Sequence, residues 1–224
     1  MKRKTVIFAI ILIFALTPVA SAKYGNSLKW VQKSAEYELT VLQIYTRAGN
    51  WLKYATKELK PGSWCVLLDL DETILNNARF YETVEKGFPY SERGLYEWYT
   101  MAKSIALPGS AAFCSNVKKL GGKVVILSDR KAPLKEPTER NLKAEGIVFD
   151  LLLLQEGGYA GDDLKNQRRA DVQKSGLRIV MRVGDQLCDF YDTAAYKYSY
   201  YYDRFGRSFV IIPNPIYGEW ENTK

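Results

Sequence analysis

Trp64-Cys65-Val66-Leu67-Leu68-Asp69-Leu70-Asp71-Glu72-Thr73 is the stretch that decides the fold. Five apolar residues run without interruption after the breaker Pro61-Gly62 and end on acids. A short, continuously apolar run bounded by turn signals reads as a strand buried on both faces, as in a parallel sheet. Ile179-Val180-Met181-Arg182-Val183-Gly184-Asp185-Gln186-Leu187-Cys188-Asp189 repeats the arrangement. In both, carboxylates stand just past the carboxyl end of the strand, the edge where open parallel sheets bind ligands. The chain contains no histidine. Chemistry at that edge therefore falls to carboxylates, hydroxyls, thiols, lysines or a metal.

Outward from these two runs, strands alternate with helices. Residues 27–59 carry apolar positions at helical spacing (Leu28, Val31, Ala35, Leu39, Leu42, Tyr45), with a division expected at Gly49-Asn50. An aromatic stretch of mixed polarity follows the first strand and includes Phe80, Tyr81, Phe88, Tyr90, Tyr96, Trp98 and Tyr99. It reads as an insertion over the sheet edge, at about residues 76–106, with a helix near its end. Pro108-Gly109 opens a helix that Gly121-Gly122 closes. Strands are expected at 123–127, 151–154, 178–183 and 208–212, and helices at 137–145 and 163–174. Such alternation means an α/β fold with a parallel sheet and right-handed crossovers.

The first 22 residues have the form of a secretory signal. Lys2, Arg3 and Lys4 precede the apolar run Val6–Leu16, and Ala20-Ser21-Ala22 offers small residues to a peptidase. The run is shorter than the roughly 20 residues a membrane span needs, so no stable anchor is expected after signal removal. Residues 23–224 then form one domain, periplasmic or secreted. Cleavage removes three of the basic residues, so the net charge of +7 falls to +4. That mild excess suits an anionic small molecule and does not imply a nucleic-acid polymer. Cys65, Cys114 and Cys188 are odd in number, so at least one stays free or pairs between chains. Exposed aromatics leave a homo-oligomer open.

Four groups carry the chemistry. Asp69 and Asp71 suit a carboxylate nucleophile and a second carboxyl that moves protons. Asp185 and Asp189 reach the same edge, where clustered carboxylates repel unless a cation joins them; a hard, oxygen-liganded ion such as Mg²⁺ fits. Ser128, after the run Val124–Leu127, offers a hydroxyl to a phosphoryl oxygen. Lys165, beside Arg168 and Arg169, offers a cation to nucleophile and phosphate alike.

The order and spacing of these groups resemble the haloacid dehalogenase (HAD) superfamily, and within it the secreted acid phosphatases with four aspartates. Asp69-Leu70-Asp71-Glu72-Thr73 is similar to the family's first motif, Ser128 to the second, Lys165 to the third and Gly184-Asp185…Asp189 to the fourth. Further likenesses are Thr138-x-x-Asn141-Leu142, Lys165-x-x-Arg168 and Pro213-Asn214-Pro215-Ile216-Tyr217-Gly218. The resemblance implies a Rossmann-like sheet with a small cap after the first motif, and a Mg²⁺-dependent phosphomonoesterase acting on small phosphomonoesters, 5'-nucleotides among them. By the same resemblance Asp69 is the nucleophile and Asp71 the general acid/base. Mg²⁺ is held by Asp69, the Asp71 backbone carbonyl and Asp185, with Asp189 in support. Ser128 and Lys165 hold the phosphoryl group, and Phe80, Tyr81 and Tyr217 are candidates to stack on a flat leaving group. Asp129 departs from the asparagine or glycine that relatives often carry there. Two other classes remain open at this level: a phosphotransferase or sugar-phosphate phosphatase on the same fold, and a non-enzymatic storage or binding protein that has kept it.

Overall fold

A computed structural model describes residues 23–156, 164–190 and 201–222. The expected signal at 1–22 and the expected helix start at Asp163 lie outside the described residues. The N-terminal helix is divided, but at Ser34 rather than at Gly49-Asn50. Helix α1 spans Gly25–Lys33 and α2 spans Ala35–Ala55. Ser34 adopts an extended backbone, and its hydroxyl accepts from the Tyr37 N–H, satisfying one of the donors left open at a helix start. Gly49 lies inside α2, where a Cβ would stand 3.1 Å from Asn116 of a neighbouring helix. Close packing, not a break, explains that glycine.

Strand β1 (Trp64–Leu68) is buried at every position. A two-stranded antiparallel ribbon, β2 (Leu75–Asn76) and β3 (Ile105–Ala106), encloses helices α3 (Ala78–Glu85) and α4 (Glu92–Met101). Then follow α5 (Ser110–Lys119), β4 (Lys123–Lys131), α6 (Lys135–Ala144), β5 (Leu151–Gln155), α7 (Leu164–Lys174), β6 (Arg178–Gly184) and β7 (Phe209–Ile211). Short 3₁₀ turns sit at Ala132–Leu134, Leu187–Asp189 and Glu219–Asn222. Strand β4 runs past the expected end, so Ser128 lies within it.

The five longer strands form one sheet in the order β5-β4-β1-β6-β7, and every pairing is parallel. This is the α/β architecture expected from the alternation. The chain builds outward from β1 to β4 and β5, then returns to the other side with β6 and β7. The reversal leaves a crevice between β1 and β6 at their carboxyl ends, where such sheets place ligands. Helix α2 packs on α5, and Val41, Tyr45, Leu52, Val66, Leu68, Phe113, Val117, Val124 and Ile126 share one core. Each fully buried aliphatic side chain there contributes about 1.5–3 kcal/mol, so β1 cannot slide without losing several such terms. That rigidity fixes where Asp69 begins.

Candidate active site

Asp69 leaves β1 directly, and its backbone N–H donates to the Val183 carbonyl of β6 at 2.9 Å. The two strand ends are thus tied where their acids emerge. Carboxylate oxygens of Asp69, Asp185 and Asp189 lie within 4.8 Å of one another. Thr73 donates to Asp185 Oδ1 at 3.2 Å, while Gln186 (2.7 Å) and Asn214 (2.9 Å) donate to its Oδ2. Asp189 Oδ2 accepts the Gln186 backbone N–H at 3.0 Å. Three carboxylates turned toward a common point, two of them braced by neutral donors, form an oxygen-rich setting that fits a small hard cation. Among the described residues this is the one such group of acids.

Gly184 makes this cluster possible in an unexpected way. A glycine just past a strand reads as a sharp turn, yet Gly184 is not among the residues with positive φ. A Cβ there would stand 2.2 Å from Asp189 Oδ2 and 2.4 Å from its Cβ and Cγ. The glycine makes room for Asp189 to fold back over the strand end.

Lys165, from the start of α7, donates to Asp69 Oδ1 at 2.8 Å and to Asp189 Oδ1 at 2.7 Å, and lies 3.5 Å from Asp129. Burial works against its ammonium, but Asp69, Asp189 and Asp129 outweigh it and hold the group well above its ordinary range. Burial pushes the Asp69 carboxyl up; Lys165 opposes that shift, and Asp189 and Asp185 add to it. Asp185 is pushed up to about 6, first by burial and then by Asp189. A bound cation would favour the charged form of both.

The Asp71 side chain points elsewhere. Arg130 grips it with both Nε (3.1 Å to Oδ2) and Nη2 (2.7 Å to Oδ1), and Asn77 Nδ2 donates to Oδ1 at 2.8 Å. Arg130 also lies 3.8 Å from the Tyr99 ring centroid and donates to Thr138 at 3.1 Å. Sequence reasoning missed Arg130. Its one visible signal is its place two residues after Ser128 on the same strand, hence on the same face. Ser128 is buried, and its hydroxyl accepts the Arg130 backbone N–H at 3.1 Å. Behind it the buried Arg168 donates to the Ser128 carbonyl at 2.6 Å and to Asp129 at 2.7 Å. Asp129, the departure from the family pattern, is thereby paired with Lys165 and Arg168.

A cavity of about 580 Å³ joins these groups; its lining includes Asp69, Asp71, Ser128, Arg130, Lys165 and Asp185. Its outer wall comes from α4 and the C-terminal segment, through Leu95, Tyr96, Tyr99 and Tyr217. Phe80, expected to face a ligand, does not line it. That ring is buried in the core against Tyr81, and it lies within 6.1 Å of Tyr90. Tyr81 packs on Tyr217 with ring centroids 5.1 Å apart and lines an adjacent cavity of about 710 Å³. Tyr217 borders both spaces and donates its hydroxyl to Glu72. Inward-facing apolar periodicity on a short helix does not separate a ligand face from a core face, which is why α3 supplied two of the expected rings and α4 the ones that line the cavity.

The model of the HAD superfamily, subfamily IIIB (Acid phosphatase), matches residues 9–220. The chain belongs to this family. Its relatives include vegetative storage protein 1 of Arabidopsis thaliana, 31% identical over 67% of this chain and 54% of that protein. The chain thus spans about half the length of that relative. Acid phosphatase 1 of Solanum lycopersicum is 28% identical over 81% of this chain and 69% of that protein. Among solved structures, the class C acid phosphatase from Bacillus anthracis superposes with a TM-score of 0.80 at 26% identity, covering 90% of this chain and 87% of that one. A structure of the same protein with tungstate bound matches with a TM-score of 0.77. All three cysteines are unpaired, Cys65 and Cys114 buried and Cys188 exposed. No helix among the described residues is long and apolar enough to cross a membrane.

Proposed function

We propose that this chain is a Mg²⁺-dependent acid phosphatase that hydrolyses small phosphomonoesters, 5'-nucleotides among them, through a phosphorylated Asp69. The observation that carries the reading is the meeting of Asp69, Asp185 and Asp189 within 4.8 Å, with Lys165 on Asp69 and Asp71 held separately beside them. Members of the superfamily generally use a divalent metal, and an all-oxygen donor set suits Mg²⁺. Asp69, Asp185 and the Asp71 backbone carbonyl would hold it, with Asp189 in support. When bound, the ion would screen the charge of nucleophile and phosphate and so let the two approach.

The chain's own residues do the rest. Asp69 attacks phosphorus in line with the leaving oxygen, and the P–O bond to the alcohol breaks as the bond to Asp69 forms. Asp71 gives its proton to that oxygen, then takes one from the water that cleaves the aspartyl phosphate. Lys165 and Ser128 bind the phosphoryl oxygens, where charge develops. Tyr96, Tyr99 and Leu95 offer a flat, apolar wall to the leaving group, which favours a ring such as a nucleobase. Tungstate is a tetrahedral oxyanion, and its presence in the Bacillus relative agrees with a phosphate-shaped site. The signal-like start supports a periplasmic or secreted enzyme.

The test is a panel of phosphomonoesters, nucleoside monophosphates and sugar phosphates included, assayed from pH 4 to 8 with chelator and with Mg²⁺. Phosphate release that chelator stops and Mg²⁺ restores is expected. No release from any ester would favour the storage-protein alternative, and transfer to added alcohols would favour a phosphotransferase.

A further inference from the structure

Asn77 follows β2 and is fully buried. Its side chain uses every hydrogen-bonding position an amide has. Oδ1 accepts from the Trp98 indole at 2.9 Å and from the Ser104 hydroxyl at 2.6 Å. Nδ2 donates to Asp71 Oδ1 at 2.8 Å and to Glu72 Oε2 at 3.3 Å. The backbone N–H donates to Glu72 Oε1 at 2.7 Å. An indole N–H is only a donor, so the amide oxygen must face Trp98 and the amide nitrogen the two carboxyls, which leaves one workable orientation. Ser104 is itself fixed by Asn141 of α6, which accepts its N–H at 3.1 Å and donates to its carbonyl at 2.7 Å.

We propose that Asn77 is a positioning residue for Asp71, and that helix α4 acts on Asp71 through it. The role rests on the phosphatase reading above. Asp71 is held by two groups, Asn77 and Arg130, and each touches one of two adjacent residues of α4. Trp98 donates to Asn77, and Tyr99 lies over Arg130. The helix that lines the leaving-group side of the cavity therefore also orients the carboxyl that must reach the leaving oxygen. A carboxyl that turns freely would meet that oxygen less often in a productive geometry, and placement of a reacting group carries much of its catalytic effect.

The test compares kcat/KM for two aryl phosphates that differ in how much they need an acid. Phenyl phosphate has a poor leaving group that requires protonation, and 2,4-dinitrophenyl phosphate a good one that does not. Asn77→Ala is expected to lose at least about 10-fold more on phenyl phosphate than on the dinitrophenyl ester, within the range general acid catalysis spans. Trp98→Phe, which deletes one N–H and keeps an apolar ring, is expected to show the same preference, smaller, and it serves if Asn77→Ala does not fold. Equal losses on both esters in a folded variant, or no loss, would overturn the positioning role and leave the phosphatase reading standing. A wild-type protein inactive on both esters would overturn both.

Discussion

Gly184→Ala puts the geometry of the acid cluster to a sharp test. The added Cβ would lie 2.2 Å from Asp189 Oδ2, whereas ordinary contact begins near 3.4 Å. Asp189 must retreat by about 1 Å, which stretches its bonds to Lys165 (2.7 Å) and to the Gln186 N–H (3.0 Å) past the useful limit of about 3.5 Å. Crowding of this kind costs about 1–3 kcal/mol, and a lost hydrogen bond to a charged group about 1.5–3 kcal/mol. Mg²⁺ demands near-octahedral ligation at about 2.0–2.1 Å, so a supporting carboxylate displaced by that much should weaken ion binding by about 10–100-fold. The assay is phosphate release titrated with Mg²⁺, alongside urea unfolding in chelator. The expected result is a higher Mg²⁺ requirement in a variant that still folds, with Asp189→Asn behaving alike. A folded Gly184→Ala protein with an unchanged Mg²⁺ requirement would refute the reasoning, because Asp189 would then serve only as a cap for the 3₁₀ turn.

Lys165→Met removes the buried cation between Asp69 and Asp189; in chelator, urea unfolding should show a loss of about 3 kcal/mol or more, and added Mg²⁺ should raise Tm more than in the wild type. Its kcat/KM should fall by about two orders of magnitude, since a preorganised donor to the phosphoryl group is gone. Burial, and then Asp71, push the Glu72 carboxyl up to about 8 from an ordinary 4.5. The folded protein therefore holds that proton more tightly than the unfolded chain, so this group's contribution to stability is complete below pH 4.5 and is lost as pH rises through 8. Glu72→Gln should flatten the decline, read from urea midpoints in chelator between pH 5 and 8; parallel wild-type and variant curves would show that Glu72 does not titrate as its surroundings demand.

The sheet was legible because β1 and β6 are buried on both faces and so carry uninterrupted apolar runs that end on acids. The same runs located Asp69, Asp185 and Asp189, since the carboxyl edge of a parallel sheet collects whatever follows each strand. The divided N-terminal helix was not legible at Ser34, where neither glycine nor proline marks the break and the hydroxyl cap alone supports it. Gly49 looked like a breaker and is a packing contact with α5; Gly184 looked like a turn and is a space for Asp189. Arg130 and Asn77 escaped for a different reason. Arg130 is 59 residues from the carboxylate it grips. Asn77 is six residues from the same carboxylate, but it meets Ser104 only because β2 pairs with the distant β3, and Trp98 only because α4 folds back beside it. Partnerships made by tertiary folding leave no spacing to read.

Chemical trapping of the phosphorylated residue tests the central claim most directly. The wild-type protein would be mixed with excess substrate and Mg²⁺, quenched in acid and reduced with borohydride, which converts an acyl phosphate of aspartate to homoserine, and its peptides would then be mapped by mass. Homoserine at position 69 is expected, absent without substrate and absent in a folded, inactive Asp69→Asn protein. Reduction at another aspartate, or continued turnover by Asp69→Asn, would contradict the account.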